Sequence, residues 1–154
     1  MLSTVHDPSA TVRLGVTLKR AQHLLTLQID EALQPLQLNA GLWAVLREMD
    51  RLPPGASAAE LARASFQTPQ TIGGLLQRLH ARGLIERRSG RGRIVENRLT
   101  KTGRRALQAA TTAAETVIAS ALTAFTDDER EIFEQLANRL ISALTADALQ
   151  ESRL

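Results

Sequence analysis

The sequence predicts a mainly α-helical fold of the α+β class, with long helices towards both ends and one small β-hairpin between them. Three observations lead to this prediction. Apolar residues recur at helical spacing along most of the 154 residues. Two Ser/Thr-x-x-Glu segments, which begin at Ser57 and Thr126, have the spacing of helix capping boxes. A glycine-containing loop joins two short β-prone segments.

The first two predicted helices are separated by a proline. Residues 11–33 carry apolar side chains at roughly helical spacing, and Pro35 ends this long helix. Asn39 is a plausible N-cap for a second helix over residues 40–50, because its short polar side chain can accept a hydrogen bond from the first turn. The segment Leu52-Pro53-Pro54-Gly55 then ends this second helix.

Two shorter helices follow, joined by a tight turn. The box at Ser57 starts a helix that ends near residue 64. Thr68 supplies a hydroxyl cap and Pro69 the first-turn proline of the next helix, which Gly83 ends. The apolar stripe of that helix consists of Ile72, Leu75, Leu76 and Leu79.

The rest of the chain is predicted as a hairpin and two long helices. The strands cover residues 84–88 and 93–99, and the loop between them is residues 89–92. Thr100 is a plausible cap for an alanine-rich helix that runs to about residue 125, and the second capping box begins a last helix over residues 126–149.

Two short helices, a tight turn and a hairpin in this order predict a winged helix-turn-helix over residues 38–105. In such a domain the second helix of the pair enters the major groove of DNA. The segments 1–37 and 106–154 are predicted to form a helical dimerisation region, because the apolar faces of the end helices have no obvious partner in a small winged domain. The alternative is that these helices pack only on each other within one chain.

The helix after Pro69 is the predicted recognition helix. Its face opposite the apolar stripe is polar and free of acids; glutamine there can pair with adenine edges, and threonine can contact a thymine methyl or a phosphate. Gly74 would let the helix approach the bases closely. The alternative is that these are ordinary solvated helix residues. The residues predicted to contact DNA are Ser57, Gln67, Thr68, Pro69, Gln70, Thr71, Gly74, Gln77, Arg78, Arg88, Arg91 and Arg93.

The distribution of charge favours DNA binding. Residues 57–105 contain eleven basic and three acidic side chains, a net charge of +8, whereas the remaining chain has eight basic and thirteen acidic side chains, or −5. A basic segment that coincides with a helix-turn-helix and wing is the pattern expected of a phosphate-contacting surface. Arg91 and Arg93 lie beside glycines in the loop, where the backbone can come close to a phosphate or a narrow minor groove.

Composition argues against several other functions. The absence of cysteine excludes disulfides, cysteine-based metal sites and thiol sensing. The three histidines, at 6, 23 and 80, have no metal-ligand or catalytic spacing, and we expect no enzyme activity, metal or cofactor. An interaction or RNA-binding module without ligand response is the alternative function. However, three Phe, one Trp and no Tyr offer no stacking platform for single strands.

Neither a signal pattern nor an apolar run of membrane-spanning length is visible, so we expect a soluble, cytoplasmic protein without membrane contact.

The chain resembles the MarR family of bacterial transcription regulators over nearly its whole length, and most densely from residue 38 to residue 107. No single piece is specific, but their order and spacing together are. The segments that carry the resemblance are residues 38–46 (LNAGLWAVL), 59–62 (AELA), 68–71 (TPQT), Leu79 with 83–87 (GLIER), and 99–104 (LTKTGR).

The resemblance implies an obligate homodimer that binds a pseudo-palindromic operator in double-stranded DNA and commonly acts as a repressor released by a small aromatic or phenolic compound. Family members commonly have Asp-x-Arg in the wing; here Arg91 stands at the position of that Asp, and only Arg93 carries over. The residues expected at the dimer interface are Val12, Val16, Ile132, Phe133, Leu136, Leu140 and Leu144.

The expected effector site lies near the first two helices and contains His23, Trp43 and Arg47. We hypothesise that an arginine there pairs with a ligand carboxylate over an aromatic wall. The alternatives are that Trp43 is core packing and that His23 is a structural or exposed histidine.

Overall fold

A computed structural model describes residues 8–90 and 94–151, where it contains six α-helices and one two-stranded antiparallel sheet. The chain divides within the fifth helix, between Val117 and Ile118, into two compact units. No helix in the described ranges is both long and apolar enough to cross a membrane. The elements are α1 (Pro8–Leu33), α2 (Ala40–Arg51), α3 (Ala58–Ala64), α4 (Pro69–Ala81), β1 (Ile85–Ser89), β2 (Val95–Leu99), α5 (Lys101–Leu122) and α6 (Asp127–Glu151).

The junction between α1 and α2 follows the sequence signals closely. α1 ends at Leu33, and Pro35 lies in the short 3₁₀ turn that follows. The Asn39 side chain accepts a hydrogen bond from the Leu42 amide at 2.8 Å, which confirms the predicted N-cap. The Ala40 amide donates to the Asp30 carboxylate at 2.7 Å. This bond fastens the start of α2 to the last turns of α1.

Both predicted capping boxes are present. In the first, the Glu60 carboxylate accepts from the Ser57 hydroxyl and backbone amide, and the Glu60 amide donates to the Ser57 hydroxyl oxygen. These hydrogen bonds to Ser57 hold the pKa of Glu60 below its usual range. At the start of α6, the bonds from Thr126 lower the pKa of Glu129 in the same way. Local sequence alone therefore sets both helix starts.

The core lies where α2, α3, α4 and the hairpin meet. α4 packs against α2 and α3 and contacts β1. The aliphatic side chains at this junction are buried, so that their apolar surface is removed from water. This burial is the main contribution to the stability of a small domain. The largest fully buried side chains are Leu33, Val45, Leu46, Leu61, Ile72, Leu76, Leu79 and Ile85.

The strands begin later than predicted, at residues 85 and 95 instead of 84 and 93. Leu84 is not in the sheet because it closes the end of α4. Its amide donates to the Leu79 carbonyl at 3.0 Å, and Gly83 before it has the left-handed φ of 67° that glycine adopts at low cost. Ser89, predicted in the loop, is the last residue of β1 and pairs with Val95.

α5 begins in close contact with the end of α4. Thr100 is the predicted cap: its hydroxyl accepts from the Gly103 amide at 2.9 Å and donates to the Gly83 carbonyl at 2.8 Å. A Cβ on Gly103 would lie 1.9 Å from the Leu84 carbonyl oxygen. The absence of a side chain at Gly103 is therefore what lets α5 start against this backbone. α5 ends at Leu122, three residues before the predicted end.

Candidate nucleic-acid interface

α4 has one buried face and one exposed face that contains no acid. The four leucine and isoleucine side chains predicted for its apolar stripe are all buried. The exposed face therefore keeps the polar composition that the sequence predicted, and nothing in it repels phosphate. Its residues are Gln70, Thr71, Gly74, Gln77, Arg78 and Ala81.

Three of the predicted DNA contacts use their hydroxyl groups within the protein. Ser57 caps α3, and Thr68 caps α4 by accepting from the Thr71 amide at 3.1 Å. The hydroxyls of Thr68 and Thr71 are also hydrogen-bonded to each other at 2.9 Å. These three side chains hold the amino-terminal ends of α3 and α4 in place, which sequence spacing predicted only in part.

The remaining polar side chains of the exposed face are available for a ligand. Within the described part of the chain, Gln70, Gln77 and Arg78 have no side-chain hydrogen bond or ion pair. Gln67 is exposed in the turn before α4. A glutamine amide carries both donors and an acceptor, so these residues can form the paired hydrogen bonds that distinguish bases in the major groove.

Gly74 lies in the middle of the exposed face. A Cβ placed there meets no atom within 4 Å, and the same holds for its half-buried neighbour Gly73. The fold therefore does not require glycine at either position, although glycine inside a helix costs about 1 kcal/mol relative to alanine.

The hairpin forms a wing with internal ion pairs. Glu86 faces Arg98 across the sheet, and Arg88 faces Glu96. Along each strand an arginine and a glutamate also pair at 2.8 Å, Arg88 with Glu86 and Arg98 with Glu96. Arg88, a predicted DNA contact, is thus partly neutralised. Arg91 and Arg93 lie outside the described residues.

A buried asparagine connects the wing to the helix-turn-helix. Asn97 of β2 is buried, and both its backbone amide and its side-chain amide donate to the carbonyl of Ala56, at 3.2 and 2.9 Å. Ala56 directly precedes the Ser57 cap of α3. Asn97 therefore positions the wing relative to α3, a role that the pattern of β2 did not indicate.

The net charge of residues 57–105 is only partly available to a ligand. Arg82 is one of the eleven basic residues of this segment, but its guanidinium donates to the Gln37 carbonyl and, at 3.0 Å, to the Leu36 carbonyl. It ties the end of α4 to the turn after α1. In the described part of the chain, the basic side chains of this segment that form neither an ion pair nor a hydrogen bond are Arg63, Arg78, Arg87, Lys101, Arg104 and Arg105.

A groove of about 550 Å³ lies beside Trp43 and Arg47. Trp43 is only 8% exposed, and its indole N–H donates to the Thr111 hydroxyl at 3.1 Å. The Arg47 guanidinium carbon lies 5.1 Å from the centroid of the Trp43 ring. Trp43 thus packs in the core, while Arg47 lines the groove. His23 is exposed on α1 and does not line this groove. The other lining residues are Asp50, Arg104, Leu107, Gln108, Thr111, Thr112 and Glu115.

The end helices expose rows of apolar side chains. On α1, Val12 and Val16 are 65% and 60% exposed. On α6, the ring of Phe133 stacks on Phe125 with 5.9 Å between ring centroids, yet it is half exposed. Exposed apolar rows of this kind mark surfaces that become buried on association. The other exposed apolar residues predicted for the interface are Ile132, Leu136, Leu140 and Leu144.

Similar proteins share this architecture. The HTH-type transcriptional repressor Rv2887 of Mycobacterium tuberculosis is 30% identical over 129 residues, covering 82% of this chain and 92% of the repressor. Its crystal structure has a TM-score of 0.66, and the structure of its complex with DNA, at 28% identity over 82% of this chain and 96% of that one, has a TM-score of 0.68. A probable transcriptional regulator from Pseudomonas aeruginosa is 27% identical, with a TM-score of 0.75 over 82% of this chain and 95% of that chain.

A sequence profile of the MarR family matches residues 37–93, which include α2, α3, α4 and β1. The matched segment thus contains the acid-free face of α4 and its caps. The chain therefore belongs to the MarR family of DNA-binding transcription regulators.

Proposed function

We propose that the chain is a homodimeric repressor that binds a pseudo-palindromic operator in duplex DNA and releases it on binding a small aromatic acid. The observation that carries this proposal is the exposed face of α4, where Gln70, Gln77 and Arg78 have no partner in the described chain and no acid intervenes. Because we propose that it binds chromosomal DNA, we place it in the cytoplasm. Because the family consists of transcription regulators, we infer that the chain acts by binding and not as an enzyme.

In the proposed dimer, residues 1–37 and 106–154 associate and residues 38–105 form each DNA-binding domain. The exposed valines of α1 and the apolar row of α6 supply the interface, since exposing these side chains to water in a monomer costs free energy that association recovers. A two-fold axis would place two α4 helices about 34 Å apart, one turn of DNA.

The proposed division of roles on DNA starts from the side chains of α4 that have no partner in the described chain. Gln70 and Gln77 pair with adenine edges, and Arg78 contacts guanine or phosphate. Residues around the turn and wing contact the sugar–phosphate backbone, which sets register but not sequence. This second group consists of Ser57, Gln67, Thr68, Pro69, Arg88, Arg91 and Arg93.

The proposal is tested by measuring affinity for duplex and single-stranded oligonucleotides at several salt concentrations. We expect the duplex affinity to fall about a thousandfold between 50 and 200 mM salt, because a dimer that contacts about six phosphates releases that many condensed counterions. Single strands of the same sequence should bind at least about tenfold more weakly, because few aromatic side chains are present to stack on bases. Equal affinity for both, or a flat salt dependence, would contradict it.

The groove beside Arg47 is the proposed effector site. Structures of the M. tuberculosis relative in complex with salicylic acid and with p-aminosalicylic acid are known. In this chain the groove is lined by two arginines, Arg47 and Arg104, and two acids, Asp50 and Glu115. That set suits an aromatic carboxylate that also carries a hydroxyl or amino donor. Its volume lies in the range of small-molecule sites.

Salicylate is the probe for this site. We expect it to weaken duplex binding by the wild-type chain about tenfold, a typical coupling between two sites. Arg47→Gln or Arg104→Gln should weaken salicylate binding about tenfold by calorimetry, because each removes a charge-assisted hydrogen bond. Arg105→Gln is the matched control, since Arg105 follows Arg104 on α5 but does not line the groove. Unchanged salicylate affinity in both variants would refute this site.

A further inference from the structure

Phe66 is the most exposed large apolar side chain in the part of the chain that the structure describes. It lies in the turn between α3 and α4, and 75% of its surface is open to solvent. Single exposed apolar residues are common on proteins. However, an exposed phenylalanine forgoes more hydrophobic stabilisation than any exposed aliphatic residue on this surface, because its ring is larger. The exposure of Phe66 therefore needs an explanation, but by itself it does not indicate a function.

The backbone at Phe66 makes the choice of residue more unusual. Its φ is 52°, in the left-handed region where a side chain with a Cβ is strained and glycine or asparagine is normal. Two backbone hydrogen bonds fix this conformation, from the Phe66 amide to the Arg63 carbonyl at 3.3 Å and from the Gln67 amide to the Ala62 carbonyl at 2.9 Å. Folding would favour glycine here, so the ring is not explained by the turn or by the core.

The position of Phe66 relates the ring to the recognition helix. The turn leads into the exposed run from Gln67 to Gln70 at the amino-terminal end of α4. In helix-turn-helix proteins this end of the second helix contacts the base edges. Phe66 lines a small cavity of about 240 Å³ beside α2 together with Gly41 and Ala44. Three quarters of its surface remains open to solvent, directly before the polar residues at the start of α4.

We propose that Phe66 is a specificity-determining residue whose ring contacts the 5-methyl group of a thymine in the major groove of each half-site. The inference rests on DNA binding through α4. The chemistry is apolar contact with a thymine methyl, which is the one apolar group that a base pair presents in the major groove. The glutamines of α4 read hydrogen-bonding edges, and Phe66 adds a test for the methyl group that they do not make.

The experiment uses duplexes that the full chain selects from a random pool, with each thymine replaced in turn by deoxyuridine, which lacks only the methyl group. We expect one such replacement per half-site to lower wild-type affinity about fourfold, the value of one buried methyl group. Phe66→Gly should bind the thymine duplex about tenfold more weakly and should no longer distinguish thymine from deoxyuridine. Its thermal midpoint should not fall, because glycine relieves the left-handed strain.

Gln37→Gly is the matched control. Gln37 is the other non-glycine residue with positive φ in the described chain, at 54°, and it lies in the turn after α1. This variant should keep wild-type duplex affinity and thymine preference. Phe66→Asn, which also tolerates a left-handed backbone, should repeat the behaviour of Phe66→Gly.

Several outcomes would overturn the proposal. One is a Phe66→Gly variant that retains wild-type duplex affinity or still prefers thymine over deoxyuridine. Another is a variant that changes salicylate binding or particle mass but not duplex affinity, which would assign the ring to the effector groove or to a protein contact. If the wild-type chain selects no duplex at all, DNA binding through α4 fails together with the inference.

Discussion

Replacing Gly103 by alanine is expected to lower the free energy of unfolding by about 3 kcal/mol, although alanine is the better helix former. The new Cβ would lie 1.9 Å from the Leu84 carbonyl oxygen and 2.9 Å from its carbon, and both atoms belong to backbone that cannot rotate away. To remove this clash, α5 must move by about 1 Å or more. Overpacking of this kind destabilises a protein by about 1–3 kcal/mol. The same movement stretches two bonds of Thr100, from its hydroxyl to the Gly83 carbonyl and from its amide to the Leu84 carbonyl, each contributing about 1 kcal/mol.

Thermal unfolding followed by circular dichroism measures this effect. For a chain of this size about 3 kcal/mol corresponds to a fall in Tm of about 6–12 °C. Gly73→Ala is the control, because it makes the same substitution inside α4, where a Cβ meets no atom within 4 Å. That variant should be as stable as the wild type or more stable. Equal Tm values for the two alanine variants would show that α5 does not depend on contact with Leu84.

Replacing Gly74 by glutamate is expected to lower the affinity for specific DNA about a hundredfold or more without unfolding the protein. The side chain would place a carboxylate in the centre of the only face of α4 that is free to enter the groove. A like charge brought against phosphate in an interface costs several kcal/mol. Because a Cβ at Gly74 meets open space, the helix itself accommodates the change.

The comparison variant is Gly73→Glu, which adds the same charge one residue earlier. Gly73 is half-buried on the flank of α4, towards His80, about 100° around the helix from Gly74. Fluorescence anisotropy with a selected duplex should give a loss at Gly74 at least about tenfold larger than the loss at Gly73. Similar losses at both positions would mean that total charge, rather than the exposed face of α4, determines binding.

The recognition helix could be predicted from the sequence because its signals are local. These signals act within one or two helical turns, and no distant residue competes with them. They are the Thr68 cap, Pro69 and the spacing of Ile72, Leu75, Leu76 and Leu79. The capping boxes of α3 and α6 are equally local. These elements lie close to their predicted bounds for this reason.

The features that required the structure depend on contacts between distant residues. From the sequence alone, Gly103 is a residue that destabilises a helix. The structure shows that the Leu84 backbone lies too close to Gly103 for any side chain there. A count of charges treats Arg82 as a free cation, but its partners are backbone carbonyls 45 and 46 positions away. The positive φ of Phe66 could not be predicted from the sequence, because a left-handed turn is normally indicated by glycine or asparagine and not by phenylalanine. The role of Asn97 likewise depends on Ala56, which lies 41 positions away in the loop before α3.

Selection of bound duplexes from a random pool by the intact chain tests the central claim, that two α4 helices of a dimer read double-stranded DNA. We predict a pseudo-palindrome whose half-sites are centred about 10 base pairs apart, or a multiple of that spacing, because two-fold symmetry repeats the same helix along the duplex. Within each half-site the wild-type protein should enrich a defined sequence that Gly74→Glu no longer selects. Enrichment of no sequence, or of a single site without two-fold symmetry, would contradict the account.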